Sequence, residues 1–317
     1  MTDTNTPSHR HDQLSVEGVQ QLASGLTENV GRVIVGHEDV VSHVIAAILA
    51  RGHVLIDDVP GVGKTMLARS IARSIDCSFR RIQFTPDMLP SDVTGSTVLN
   101  QRTQEFEFRP GPVFGNVVLG DEINRAPPKT QAALLEAMQE SQVTVDGETR
   151  SLPAPYVVIA TQNTVEGDRT YELPLAEVDR FTKRLTLGYP SVEEETDLLE
   201  RTVGHHPIEK IESVTDVESV VAARERVAEI EVSAEVRRYA SELAAWTRSE
   251  VPIGVSPRGT IALLRSSQAR AAMAGRSYVT PDDIKREGPS VWSHRITGGD
   301  RDGRAVVETA LEAVPVE

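Results

Sequence analysis

The stretch His53-Val54-Leu55-Ile56-Asp57-Asp58-Val59-Pro60-Gly61-Val62-Gly63-Lys64-Thr65-Met66 constrains the fold more than any other part of the chain. HVLIDD is a short apolar strand, VPGVGK breaks it, and TMLARSIARSI has the spacing of a helix. Strand, glycine loop and helix in direct succession are what a phosphate site requires. The glycines let backbone N–H groups converge on phosphate oxygens, and the helix that begins at Thr65 points its positive end at them. We expect Pro60, Gly61, Val62, Gly63, Lys64, Thr65 and Met66 to form this cradle. Lys64 would neutralise β and γ oxygens and the Thr65 hydroxyl would ligate Mg²⁺. Where G-x-x-x-x-G-K-T would place its first glycine, this chain has Asp58. That position turns the chain off the strand, so the cradle is expected to survive, with the extra carboxylate weakening nucleotide affinity.

Further along, FRRIQF, NVVLGD, YVVIAT and KRLTL are short β-rich runs separated by helical or turn-rich stretches. This pattern describes an α/β core with a mostly parallel sheet flanked by helices, over residues 13–188. Two helical patterns come first, over 15–30 and 38–50, the second placing Val41, Val44, Ile45 and Ile48 on one face. Two excursions interrupt the core: 90–112, with short strands around 96–99 and 105–108, and a hairpin over 142–152 turned at Asp146-Gly147. From 191 to 317 the periodicity is helical with no convincing core strand, which implies an all-helical second domain. Residues 1–12 are polar and aperiodic, and we expect a disordered tail. His205 and His206 read as a polar loop.

Val117-Val118-Leu119-Gly120-Asp121-Glu122 is an apolar strand ending in two acids. Open α/β sheets bind ligands outside the carboxyl ends of their strands. Asp121 would hold Mg²⁺ through water, and Glu122 would orient and polarise an attacking water. YVVIATQN ends a further strand at Asn163, a neutral amide suited to holding that water or a γ-phosphate. Acids and amides after strands also serve as caps and turns; it is their company with the glycine loop that gives them a chemical role.

Composition narrows the function classes. The formal charge is −14, with 47 acids against 33 bases, of which only Lys64, Lys129, Lys183, Lys210 and Lys285 are lysine. This balance argues against a nucleic-acid groove, which needs clustered Lys and Arg. An acidic, lysine-poor surface stays soluble in concentrated salt, so either a halophilic archaeon or GC-rich coding would account for it. One cysteine, Cys77, makes no internal disulfide, and no Cys/His spacing suits zinc. No apolar run approaches the roughly 20 residues of a bilayer span, and the N-terminus lacks a signal's apolar core. The expected location is cytoplasmic.

Taken together, GVGKT, GDEINRAPPKTQAALLEAMQE, VTVDG, IATQN, ELPLAEVDRF and SPRGTIALLRSSQARA resemble the MoxR family of AAA+ ATPases, over roughly residues 14–297. The resemblance implies an ATP- and Mg²⁺-dependent ATPase domain with a helical lid, assembled as a ring, commonly a hexamer, with nucleotide between neighbours. It places 90–112 as an insert in the second core helix and the 142–152 hairpin before the Asn163 strand. It implies that Arg180 is an arginine finger for the next subunit's γ-phosphate, with Arg184 as fallback. Arg258 matches a lid arginine that senses the γ-phosphate and couples lid angle to nucleotide state. Ile34, Val35 and Gly36 lie where such proteins line the adenine, although core packing would use them equally well. Arg125 matches a place facing the subunit interface. The implied function is remodelling or maturation of a protein client, often with a partner containing a von Willebrand factor A domain. Two rivals stand beside it: a DNA-directed motor, since replicative helicases share the insert and hairpin, and a nucleotide-gated scaffold that barely hydrolyses ATP, which Asp58 keeps open.

Overall fold

The computed structural model describes residues 14–163, 171–202 and 207–316. The expected 1–12 tail and the His205-His206 loop lie outside them. Two helices come first, α1 (Val16–Gly31) and α2 (Glu38–Leu49). Ser15 caps α1 by accepting from the Gly18 amide at 3.1 Å, satisfying one of the donors a helix start leaves open.

The sheet is built from β1 (Val54–Asp57), β2 (Phe79–Gln83), β5 (Val117–Asp121), β8 (Val157–Gln162) and β9 (Lys183–Leu185), in the order β2-β5-β8-β1-β9. Every neighbouring pair is parallel. Between them run α3 (Lys64–Ser74), α4 (Pro90–Thr94), an antiparallel ribbon of β3 (Gly95–Asn100) and β4 (Glu105–Pro110), α5 (Pro128–Glu140), a hairpin of β6 (Gln142–Val145) and β7 (Glu148–Ser151), and α6 (Leu175–Val178).

A parallel sheet needs cover on both faces, and the strand side chains divide accordingly. Val54, Ile56, Val117, Leu119, Val157 and Ile159 join one apolar cluster. Leu55, Val118, Val158 and Ala160 join another, with Phe84, Leu134, Leu135 and Phe181. This is the period-two alternation of a strand expressed as two cores.

The helical remainder comprises α7 (Val192–Thr202), α8 (Val217–Ala228), α9 (Ala234–Glu250), α10 (Pro257–Met273), α11 (Pro281–Trp292) and α12 (Gly303–Ala313). Its core is not separate. Leu243, Leu263, Ile284, Trp292 and Val307 lie in the same cluster as Val19, Leu26, Val44 and Ile48 of α1 and α2. A buried ionic group ties α2, β9, α10 and α11 together. Glu287 pairs with Lys183, accepts from Arg270 Nε at 2.8 Å and from Ser266 Oγ at 2.6 Å, and lies 3.5 Å from His43. Lys183 and Glu287 are both fully buried. Burial alone would raise the Glu287 carboxyl, but Lys183 and Arg270 overcome it and hold it at about 2.

Candidate functional site

The phosphate loop follows the carboxyl end of β1. Gly61 and Gly63 have φ of 88° and 93°, a left-handed region in which any side chain is strained. Gly63 is also the N-cap of α3, so the first free amides of that helix open into the loop. Pro60, Gly61, Gly63, Lys64, Thr65, Met66, Asp121, Glu122 and Asn163 line one cleft of about 240 Å³. The structure thus brings together residues that lie about a hundred positions apart in the chain. Lys64 Nζ donates to the carbonyls of Asp58 and Val59 at 3.0 and 3.2 Å, so the cation is held over the loop it would share with a phosphate.

The acids rest on neighbours that the sequence reading did not single out. Asp121 Oδ1 accepts from Thr161 Oγ1 at 2.7 Å and Oδ2 from Arg81 Nη2 at 2.6 Å. Thr161 Oγ1 in turn accepts from the Glu122 amide at 2.9 Å. Glu122 sits at φ 57°, ψ 49°, a left-handed conformation costing a non-glycine residue about 1–3 kcal/mol and found preferentially at working sites. Its Oε2 accepts from Gln83 Nε2 and Arg125 Nη1, both at 2.8 Å. Arg125, expected at a subunit interface, is therefore also a partner of Glu122 within its own chain. Asn163 is buried and its carbonyl accepts from Asn124 Nδ2 at 3.4 Å.

A second cleft of about 480 Å³ shares Pro60, Gly61, Gly63 and Met66 with the first and is otherwise apolar on one side. Ile34, Val35 and Val62 line it, facing Tyr189, Pro190 and Leu198. Two clefts joined at the loop have the shape a nucleotide needs, phosphates in one and base in the other. Gly36 has φ 77°, and a Cβ there would lie 2.2 Å from the Glu194 carboxyl carbon; the glycine admits that side chain against the linker between α1 and α2.

The chemistry of the donors fits a magnesium ion. Among the described residues no group of three His, Cys, Asp or Glu side chains is placed to hold a metal. Thr65 and Asp121, on one cleft, offer the small protein share typical of Mg²⁺ bound with substrate phosphates.

Asp58 does not line the cleft of the phosphate loop. It is 4% exposed; Oδ2 accepts from the Leu187 and Gly188 amides at 2.6 and 2.8 Å, and Oδ1 from the Val59 amide at 2.8 Å. The carboxylate expected to weigh on nucleotide affinity instead joins β1 to the segment leaving β9.

The arginines divide by position. Arg184 pairs with Asp57 inside the chain. Arg180 precedes the amino end of β9, where Val54 is in register with Lys183, whereas the phosphate loop leaves the opposite end of β1. Arg180 Nε lies 3.2 Å from Glu177, and Arg258 Nε lies 3.9 Å from Asp179. Neither arginine lines either cleft of its own chain. Arg258, expected to sense a γ-phosphate, thus lies beside Asp179, the residue before Arg180.

The chain is similar to known proteins over most of its length. The profile of the ATPase family associated with various cellular activities (AAA) matches residues 53–183, and that of the AAA lid domain residues 243–314. YeaC of Bacillus subtilis, an uncharacterized protein, is 50% identical over 88% of each chain. Chaperone MoxR1 of Mycobacterium tuberculosis is 37% identical over 92% of this chain and 80% of its own. A solved structure from Cytophaga hutchinsonii superposes with a TM-score of 0.89 at 35% identity, covering 95% of this chain and 97% of that one.

Proposed function

This chain belongs to the MoxR family of AAA+ ATPases, and we propose that its subunits form a ring, hexameric as the resemblance implies, in which each completes its neighbour's ATP site. The observation that carries the reading is the separation of parts. Loop, acids and Asn163 lie around one cleft at the carboxyl ends of the strands, while Arg180, paired with Glu177, and Arg258, 3.9 Å from Asp179, lie off both clefts. An interface between subunits would bring these separated groups together.

Within a site, the loop amides and Lys64 bind the β and γ phosphates. Thr65 and Asp121 would hold the magnesium ion, which neutralises charge on the phosphate oxygens when bound. Glu122 polarises the attacking water and Asn163 helps to place it. Arg180 and Arg258 of the adjoining subunit stabilise charge on the transferring group, so hydrolysis depends on assembly.

The client we propose is a protein, in keeping with the chaperone name of the mycobacterial relative, and a von Willebrand factor A domain partner follows from the family resemblance. The formal charge of −14 disfavours the DNA-directed alternative. The scaffold reading loses its basis with Asp58 outside the cleft of the phosphate loop. No helix among the described residues is long and apolar enough to cross a membrane; a cytoplasmic location and tolerance of molar salt are part of the proposal.

Mixing tests the shared site. Arg180→Ala subunits should bind ATP and hydrolyse it about 10³-fold or more slowly, the lower range for arginine fingers. Lys64→Ala subunits lack a site but keep the finger. Mixed rings, verified by mass, should recover part of the activity, and the trans assignment fails if they hydrolyse no more than the two variants measured apart.

A further inference from the structure

The loop that carries Arg180 is held by a residue from the other end of the chain. Arg295 ends a 3-10 turn, Ser293–Arg295, after α11, and is 4% exposed. Its Nε donates to Asp179 Oδ1 at 2.6 Å, Nη2 to the carbonyls of Asp179 and Phe181 at 3.0 and 2.7 Å, and Nη1 to the Thr182 carbonyl at 3.2 Å. Nη1 also reaches the Val291 carbonyl, which anchors the fork to its own helix. His294 Nε2 lies 3.0 Å from the Phe181 carbonyl. The acceptors thus fall on both sides of Arg180, and its backbone cannot swing without breaking several bonds at once.

The same group reaches Arg258 from behind. Asp179 Oδ2, the oxygen Arg295 leaves, lies 3.9 Å from Arg258 Nε. The Gly259 carbonyl accepts from Trp292 Nε1 at 2.9 Å, and a Cβ at Gly259 would lie 2.9 Å from Arg295 Cδ. A buried arginine that merely paired with one acid would need none of these carbonyls. A planar fork saturating the turn around Arg180 while abutting the start of α10 fixes the half-buried Arg180 and the exposed Arg258 relative to each other.

We propose that Arg295 is the positioning residue for Arg180 and Arg258, locking them into one rim that meets a neighbour's triphosphate as a unit. The inference rests on the trans reading of Arg180. Because Arg295 belongs to the helical part and Arg180 to the edge of the sheet, any shift of the helices around α11 carries the finger with it.

Two substitutions test this. Arg295→Lys keeps the charge and loses the fork. Gly259→Ala removes no group but presses on Arg295 and on Val255; with Val255→Ala in the same chain to relieve the second contact, it carries the test alone if Arg295→Lys does not fold. In each variant the dissociation constant for a fluorescent ATP analogue should stay within about twofold while kcat falls about 10- to 100-fold, the effect of an ångström-scale misplacement. Amides 179–182 should exchange hydrogen faster than in the wild type. In mixed assemblies the variants should be rescued by Lys64→Ala subunits, which supply an ordered finger, and should fail to rescue Arg180→Ala subunits, which need one. Variants that rescue Arg180→Ala as well as wild-type finger donors do, with unchanged exchange at 179–182, overturn the role of Arg295. Failure of the Arg180→Ala and Lys64→Ala mixture itself would instead overturn the trans reading on which this inference stands.

Discussion

Asp58 shows how one position can look like a defect in a motif and be a joint in the fold. Its carboxylate accepts three backbone amides, two of them on the segment leaving β9. Asp58→Gly would restore the usual loop sequence but strand the Leu187 and Gly188 amides in a buried place. We expect it to destabilise the protein by about 2–4 kcal/mol, given the worth of charge-assisted bonds and the cost of unmet donors, and not to tighten nucleotide binding. Urea unfolding at equilibrium checks the first point; a variant as stable as the wild type would show that those amides find other partners. Lys64, Thr65, Asp121 and Glu122 were legible because each lies in a local string whose chemistry is self-contained. Gln83, Arg81 and Thr161 were not, because their contacts with Glu122 and Asp121 exist only once β2, β5 and β8 lie side by side. FRRIQF was readable as a β-rich run, but nothing local names the strand that its side chains meet.

Among elements, the junction of β9, α2, α10 and α11 depends most on charge. Glu287 is fully buried and compensated by Lys183 and Arg270. Removing one member of such a group leaves an uncompensated buried charge, which typically costs 3–5 kcal/mol. Glu287→Ala should therefore destabilise the protein by about that amount, while Glu287→Ala combined with Lys183→Met should recover part of it. Thermal unfolding of the single and double variants measures this, and equal losses in both would mean that the pair is not coupled. Strand positions were readable as apolar runs bounded by turns. The order β2-β5-β8-β1-β9 was not, since it follows from crossovers. Nor was the union of α1 and α2 with α8 to α12 in one apolar cluster: amphipathic spacing says that a face is buried but not against which element.

For the molecule as a whole, three buried histidines tie stability to pH. Burial pushes His53 down to about 4; burial, then Lys183, brings His43 to about 4; burial, then Arg295, holds His294 well below 6.5. Unfolded, each titrates near 6.5, so between about pH 6.5 and 4 the unfolded chain binds more protons than the folded one. Stability is thus full above that window and falls as pH drops through it, by up to about 1.4 kcal/mol per pH unit for each histidine. Midpoints of thermal unfolding from pH 7.5 to 5 should decline, and a flat profile would mean that the imidazoles take up protons equally in the folded and unfolded states. The same whole-molecule view gives meaning to the distance between the phosphate loop at one end of β1 and Arg180 before the amino end of β9. A body with a socket on one side and a plug on the other cannot complete both in a two-fold pair, because plug would face plug or socket would face socket. If Arg180 and Arg258 act in trans as proposed, subunits joined in an open row would leave one triphosphate without its arginines and one pair of arginines without a triphosphate. Closure into the proposed circle would remove both loose ends, so that every catalytic centre would become equivalent only when the last subunit meets the first.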